Sequence, residues 1–419
     1  MAEPEHVAGG TFRVDRARLL EKLASFSLAD PAQFLIPWLR AASMSGATKV
    51  WLWTRPNGIE CNFDGRPFAA IALSDPYAPL LDEAGEDGAR YRELAIGLLT
   101  LLVRGPRSKK GGGPLVELRS GGAEGSVFLR AETYGAESME AEFGAFPPGT
   151  SIRVELPPSK EPWAPGPVAR AAEACGGPRS FTFLVDDKEV GCGGPEGGHA
   201  ALLDGVSANL AIIAPADGMS QLELFSWGVK AGRVEIKLAG FPMAGEVNDD
   251  RLTLDATRAS VVRDENFERA MAVVSRMGVR IAIDVFKKAM AFIKSRSWYW
   301  SAGQDQAAQS LARLRLQCAR KISESPAALA ELRDALFFVD GRGAPVTLDV
   351  LDRRLKAEQL LRLGNHPIRP PDSRAQSRKL KKGQPPPKPA PEIPYIWLTQ
   401  SQDREALSLL FPGARFVEL

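Results

Sequence analysis

Several side-chain clusters in this chain are suited to chemistry on anions or bases, and none is a complete catalytic set. The run Gly105-Pro106-Arg107-Ser108-Lys109-Lys110-Gly111-Gly112-Gly113 mixes cations with glycines, the ingredients of a phosphate cradle. It lacks the Gly-Lys-Ser/Thr order of a P-loop and lies between helix and strand, the reverse of that motif's context, so it reads as a surface loop. Lys294-Ser295-Arg296-Ser297-Trp298-Tyr299-Trp300 pairs cations with aromatic rings, an arrangement that stacks on bases in single-strand sites, though a helix end anchored by aromatics is the plainer account. The only histidines are His6 at the start, His199 in a glycine loop and His366 beside a proline-rich stretch, so no Ser-His-Asp or Cys-His set can be assembled. Cys61, Cys175, Cys192 and Cys318 lack the paired spacing of a zinc site and are read as reduced, mostly buried thiols; no metal is expected.

The elements that must position such groups follow from periodicity. Ala17 to Phe26 and the segment after Asp30-Pro31, an N-cap followed by a proline at the first helical position, predict two opening helices. Lys49 to Trp53 and Ile59 to Phe63 are β-rich runs joined by Arg55-Pro56-Asn57-Gly58, a hairpin signal. A helix over 90–103 and strands over 115–119, 126–132 and 150–156 complete a two-layer α+β sandwich spanning 11–156. Pro157 to Pro167 has five prolines in eleven residues and predicts a stiff linker. A second α/β domain is expected over 168–300, with a helix near Val168 to Cys175, strands at 180–185, 208–214 and 222–229, and a long amphipathic helix from Asp264 to Arg296. A small helical region is expected over 301–366, from helices at 304–323, 326–337 and 348–363. Residues 367–394 carry nine prolines and seven cations and predict a disordered basic tether, with a βα unit closing the chain over 395–419.

At 419 residues, 44% hydrophobic and 25% charged with a net charge of +2, the chain has no global excess of charge to attract nucleic acid or membrane. No apolar run approaches the roughly 20 residues of a membrane span, and the start lacks the layout of a signal peptide, which predicts a cytoplasmic protein.

The segment Phe34 to Val50, ending in Gly46-Ala47-Thr48-Lys49-Val50, resembles the first ATP-binding helix of the GHKL (Bergerat-fold) superfamily, which includes the ninety-kilodalton heat-shock chaperones. In active members that helix supplies a water-activating glutamate and, one turn later, a magnesium-binding asparagine. Pro37 and Ala41 occupy those positions here, and neither accepts a proton or binds a metal. Inside a helix Pro37 would also cost about 3 kcal/mol unless the helix starts or kinks there. Phe63-Asp64-Gly65-Arg66-Pro67-Phe68 echoes the superfamily's adenine-binding loop without its second glycine. Asp64 then contacts adenine, or Asp64-Gly65 is simply a turn. Of the glycine-rich lid only Gly97 remains, and Gly149-Thr150-Ser151-Ile152 is similar to the family's last strand, whose threonine lies at the base of the pocket.

Gly245 to Arg258 is similar to the chaperones' middle-domain segment that carries an arginine to the γ-phosphate, which places Arg258 in that role or in a structural salt bridge with an acid such as Asp255 or Asp264. The resemblance covers 11 to about 300 in domain order and implies a bacterial-type, chaperone-like protein that binds protein partners through a pseudo-ATPase domain. It implies no required cofactor, with ATP held, if at all, without magnesium through Asp64, Gly65, Gly97, Thr150 and Arg258. Two rivals stand beside it. One is a slow ATPase using Glu60 or Asp64 as base; the other is a nucleic-acid-binding accessory protein using the tether and Lys294 to Trp300.

Overall fold

The computed structural model describes residues 16–26, 28, 30–81, 87–108, 112–142, 146–157, 163–213, 215, 217–295, 305–324, 330–341, 344–364, 396–397 and 400–418. It is a mixed α/β chain that divides into two compact units, one of residues 1–210, 221–235 and 245–271, the other of 211–220, 236–244 and 272–419.

The first unit opens with helices α1 (Arg16–Phe26) and α2 (Leu35–Met44), then the hairpin of β1 (Lys49–Arg55) and β2 (Gly58–Phe63). The one-turn helix α3 (Ala70–Leu73) and α4 (Gly88–Arg104) precede β3 (Leu115–Gly122), β4 (Gly125–Ala131), β5 (Glu137–Glu142) and β6 (Gly149–Glu155). Helix α5 (Pro165–Ala174) leads into β7 (Thr182–Val185) and β8 (Lys188–Glu189). These strands form one sheet in the order β5-β4-β3-β6-β2-β1-β7-β8. Neighbours are antiparallel except β1 and β7, which run parallel with Val50 opposite Phe183.

Two features of this sheet differ from the sequence reading. Helix α5 and strand β7, expected to begin a second domain, complete the first sheet, with α5 packed on α2 and β1. The turn between β1 and β2 is made by Pro56 and Asn57, since Arg55 pairs with Gly58. Gly58 is therefore already in the strand, where a Cβ would lie 2.1 Å from the Val154 carbonyl oxygen of β6. The glycine serves close strand approach, and Pro56 presets the turn.

Helices α2 and α4 pack on each other, and α1 packs on α4. Helix α2 is apolar around most of its surface, with Leu35, Trp38, Leu39, Ala41 and Ala42 buried, as a helix sandwiched between other elements must be. The crossing is close because Gly97 of α4 has no side chain. A Cβ there would meet Trp38 Nε1 at 2.3 Å and the Phe34 carbonyl oxygen at 2.8 Å.

A second sheet follows in the order β12-β11-β13-β10-β9, from β9 (His199–Leu203), β10 (Val206–Ile212), β11 (Ser220–Ser226), β12 (Val229–Ile236) and β13 (Met243–Asn248). Residues 199–203, 206–210, 221–235 and 245–248 of it belong to the first unit. Helix α6 (Glu265–Ser295) then starts where Asp264 accepts a 3.0 Å hydrogen bond from Phe267 N.

The second unit corrects one expectation. The region read as helical holds α7 (Asp305–Glu324), α8 (Ala330–Ala335) and α9 (Leu348–Glu358), but also β14 (Phe337–Asp340), β15 (Pro345–Thr347) and β16 (Leu360–Gly364). With β17 (Ile396–Trp397) and β18 (Arg415–Glu418), which flank α10 (Ser401–Leu410), these strands form a sheet in the order β15-β14-β17-β16-β18. Phe337-Phe338-Val339 is buried throughout, and such continuous apolar runs suit a covered strand as well as a helix. Gln359, with φ at 54°, ends α9 before Leu360 to Leu363, so the leucine spacing that extended the expected helix belongs to a strand. Helix α7 packs on α10 through a buried pair, Arg315 Nη1 to Asp403 Oδ1 at 2.9 Å, with the guanidinium also over Phe337 and Phe338. The tether at 367–394 lies outside the described residues.

Burial pushes the thiols of Cys61 and Cys175 up to about 12 and raises that of Cys318, whereas Cys192 is exposed. Of the four thiols, Cys192 alone is expected to react promptly with a disulfide reagent in the native protein; the other three should require unfolding, as a timed titration with and without denaturant will show. Gly97→Ala tests the helix crossing. In a free helix the alanine would add about 1 kcal/mol of stability, but under Trp38 the overpacking should cost about 1–3 kcal/mol in a urea unfolding curve.

Candidate functional site

Helix α2 begins at Leu35, after a short 3-10 turn at Pro31–Gln33 capped by the Asp30 carboxylate, which accepts from Ala32 N at 2.9 Å. Pro37 therefore sits in the first turn, where a missing N–H removes no intrahelical bond. Pro37 and Ala41 are both buried. The same helix carries one cation in its buried run, Arg40, and its C-terminal Ser45 hydroxyl donates to Ala41 O at 2.7 Å.

The loop after β2 is occupied by the chain itself. The Asp64 carboxylate accepts from Thr48 N at 2.7 Å, Thr48 Oγ1 at 2.5 Å and Lys49 N at 2.9 Å. Partial burial works to raise the Asp64 pKa, but these donors win and hold it below the usual carboxylate range. Gly65 passes so near the end of α2 that a Cβ would lie 2.9 Å from Ser45 Cβ and 3.0 Å from Ala47 N. Thr150, also buried, pairs in register with Phe63 and shares a 2.8 Å hydrogen bond with Ser120 Oγ, which accepts from Phe68 N at 2.7 Å. The Phe68 ring is buried beside Phe63 and Tyr91, with the Arg90 guanidinium 5.1 Å from its centre. Arg90 donates to the carbonyls of Arg66 and Pro67, so it fixes the loop carrying Asp64 and Gly65.

Arg258 stands apart from that loop and reaches helix α4. Its backbone lies in the left-handed region, φ 57°, in a turn templated by Asp255. That carboxylate accepts from Thr257 Oγ1, Ala259 N and Ser260 Oγ at 3.0, 3.1 and 2.7 Å, and Leu254 and Val261 bridge across the base. Such a conformation costs about 1–3 kcal/mol at a non-glycine residue and is kept where neighbours fix it. Upstream, the buried Asp249 pairs with Arg251 and Arg269. The Arg258 guanidinium meets Glu93 Oε1 at 3.0 Å, while Glu93 Oε2 is 4.0 Å from Arg40 Nη1. Burial lowers the pKa of Arg40, Glu93 opposing that effect and Arg258 adding to it.

These residues line a cleft of about 410 Å³, with Leu23, Met44, Leu80, Ile96 and Leu252 forming much of its apolar wall. The structure thus brings Asp64, Gly65 and Thr150 together near the end of α2, and Arg258 to α4 one turn from Gly97, but the two groups serve different contacts. Arg40 and Glu93 were not singled out from sequence. Arg40 does carry a signal, an isolated charge inside an apolar helical run, whereas Glu93 follows Arg90 and Arg92 and has no such mark. Among the described residues no group of three or more histidine, cysteine, aspartate or glutamate side chains is placed to hold a metal ion, and no helix is long and apolar enough to cross a membrane. The aromatic part of Lys294 to Trp300 lies outside the described residues, as do Lys109 to Gly111. No protein-family model matches the chain, and no curated protein matches it.

The hydrogen bonds of Asp64 generate a pH test. A carboxyl whose native pKa is lowered stabilises the fold above its unfolded pKa of about 4, and that contribution is lost as pH falls through the native value. Asp64→Ala should therefore be less stable than the wild type at pH 7, with the gap in unfolding free energy closing as the pH is taken down below about 4.

Proposed function

We propose that this chain is a chaperone-like interaction protein whose first unit is a GHKL-like domain that does not turn over ATP. The observation that carries this reading is the use of every nucleotide-facing position of the resemblance for internal packing. Pro37 and Ala41 are buried without any group able to activate water or hold Mg²⁺. Asp64 is spent on Thr48 and Lys49, Gly97 lies under Trp38, Thr150 is bonded to Ser120, and Arg258 is paired with Glu93. A domain kept without its chemistry retains its surfaces, so protein partners are the expected ligands of the whole chain.

Two measurements on purified protein check this. Mg-ATP should give no turnover above a blank, and a fluorescent ATP analogue should show no saturable binding with or without Mg²⁺. Turnover that disappears in Arg258→Ala would instead establish an ATPase using that arginine on the γ-phosphate. Analogue binding that needs no Mg²⁺ would establish a nucleotide-gated protein with an intact adenine site.

A further inference from the structure

One end of the first sheet is left open. Strand β5 is an edge, paired among the described strands with β4 alone. Val127 stands opposite Ala141 and Leu129 opposite Met139, so these side chains share one face of the sheet; Leu129 is buried there, whereas Met139 is 38% exposed and Ala141 is exposed. Val127 and Ala141 line a groove of about 490 Å³ whose other wall includes Pro67, Ala69 and Ala70, and the adjoining Ile71 is 86% exposed. An edge strand keeps a row of backbone N–H and C=O groups unpaired, which a further strand takes up, while alternate side chains set which strand fits.

Charge selects that strand. Residues 115–142 carry six glutamates against Arg119 and Arg130. Glu124 lines the groove and Glu140 lies on β5; both are exposed, and neither has an ion pair among the described residues. A second β5 laid alongside would bring glutamates together, and a phosphate backbone would be repelled, so the occupant is cationic. A matching run lies in the chain itself. Residues 372–384 contain no proline and carry Arg374, Arg378, Lys379, Lys381 and Lys382 against Asp372. Within it Lys379-Leu380-Lys381 alternates cation, apolar and cation, the complement of Glu140-Ala141-Glu142 in β5.

We propose that residues 372–384 of a second copy of this chain add a strand to β5, with Leu380 opposite Ala141 over the groove and Lys379 and Lys381 opposite the two glutamates on the other face. This goes beyond the reading of the first unit as a pseudo-ATPase and does not depend on nucleotide.

Two measurements on the full chain test it. A fluorescent peptide of residues 372–384 should bind saturably by anisotropy, about tenfold or more weakly with Leu380→Asp in the peptide or Glu140→Lys in the protein, and more weakly as salt rises from about 50 to 500 mM. Glu140→Lys alters an exposed side chain without an ion pair, so its melting curve should match the wild type. Sedimentation velocity should show association growing with protein concentration between about 1 and 100 μM, and Leu380→Asp in the full chain should remove it. Absence of saturable anisotropy, equal affinity for the Leu380→Asp peptide, binding indifferent to Glu140→Lys, or a monomer at every concentration would overturn the proposal.

Discussion

A buried carboxylate, Glu93, sets the conditions for the first unit. Removing an ion from water costs several kcal/mol even after the protein relaxes, so Glu93 is stable at 2% exposure only with cations held against it. One of them, Arg40, comes from the neighbouring helix at 4.0 Å; the other, Arg258, arrives at 3.0 Å from more than 160 positions along the chain. The second partner requires a turn with a non-glycine residue at positive φ, and that turn requires the Asp255 carboxylate at its centre. The segment leading to it is fixed in turn by Asp249 between Arg251 and Arg269. One desolvated charge thus accounts for a chain of polar contacts from α4 to the start of α6.

The same helix pair shows how the first unit fills the space between α2 and α4. Trp38 fills the space over Gly97 and donates its indole N–H to the Leu94 carbonyl at 3.2 Å, which ties α2 to α4 through a large apolar group with one satisfied polar atom. The loop at Asp64 is closed from the other side by Arg90, stacked on Phe68 and Tyr91 and bonded to two loop carbonyls. Both devices use side chains where a small-molecule pocket would need room.

The sequence made some of this legible and hid the rest for physical reasons. Local signals carried the opening elements: Asp30-Pro31 does cap a helical turn, and the β1–β2 hairpin lies where its turn residues put it. Long-range pairing had no such mark. Nothing in Thr182 to Val185 announces a parallel partner in β1, so the proline-rich stretch reads as the end of a domain whose sheet in fact continues beyond it. In the second unit, Phe337 to Val339 and Leu360 to Leu363 are short apolar runs that fit a strand or a covered helix equally well. At the site, Arg258 could be selected from its motif, but its partner could not. Asp255, the nearer acid by sequence, shapes the turn, while Glu93 takes the charge.

The Glu93 pair also decides what Arg258 can do for a ligand. For its guanidinium to leave Glu93 and serve a phosphate, the carboxylate would be left buried with only the distant Arg40, a loss of about 3–5 kcal/mol for a broken buried pair. A single charged hydrogen bond to the phosphate returns about 1.5–3 kcal/mol. An anion that offers Glu93 nothing therefore does not displace the arginine on these terms. The burial that makes the Arg258–Glu93 contact costly to break is thus what keeps the turn carrying Arg258 seated on α4.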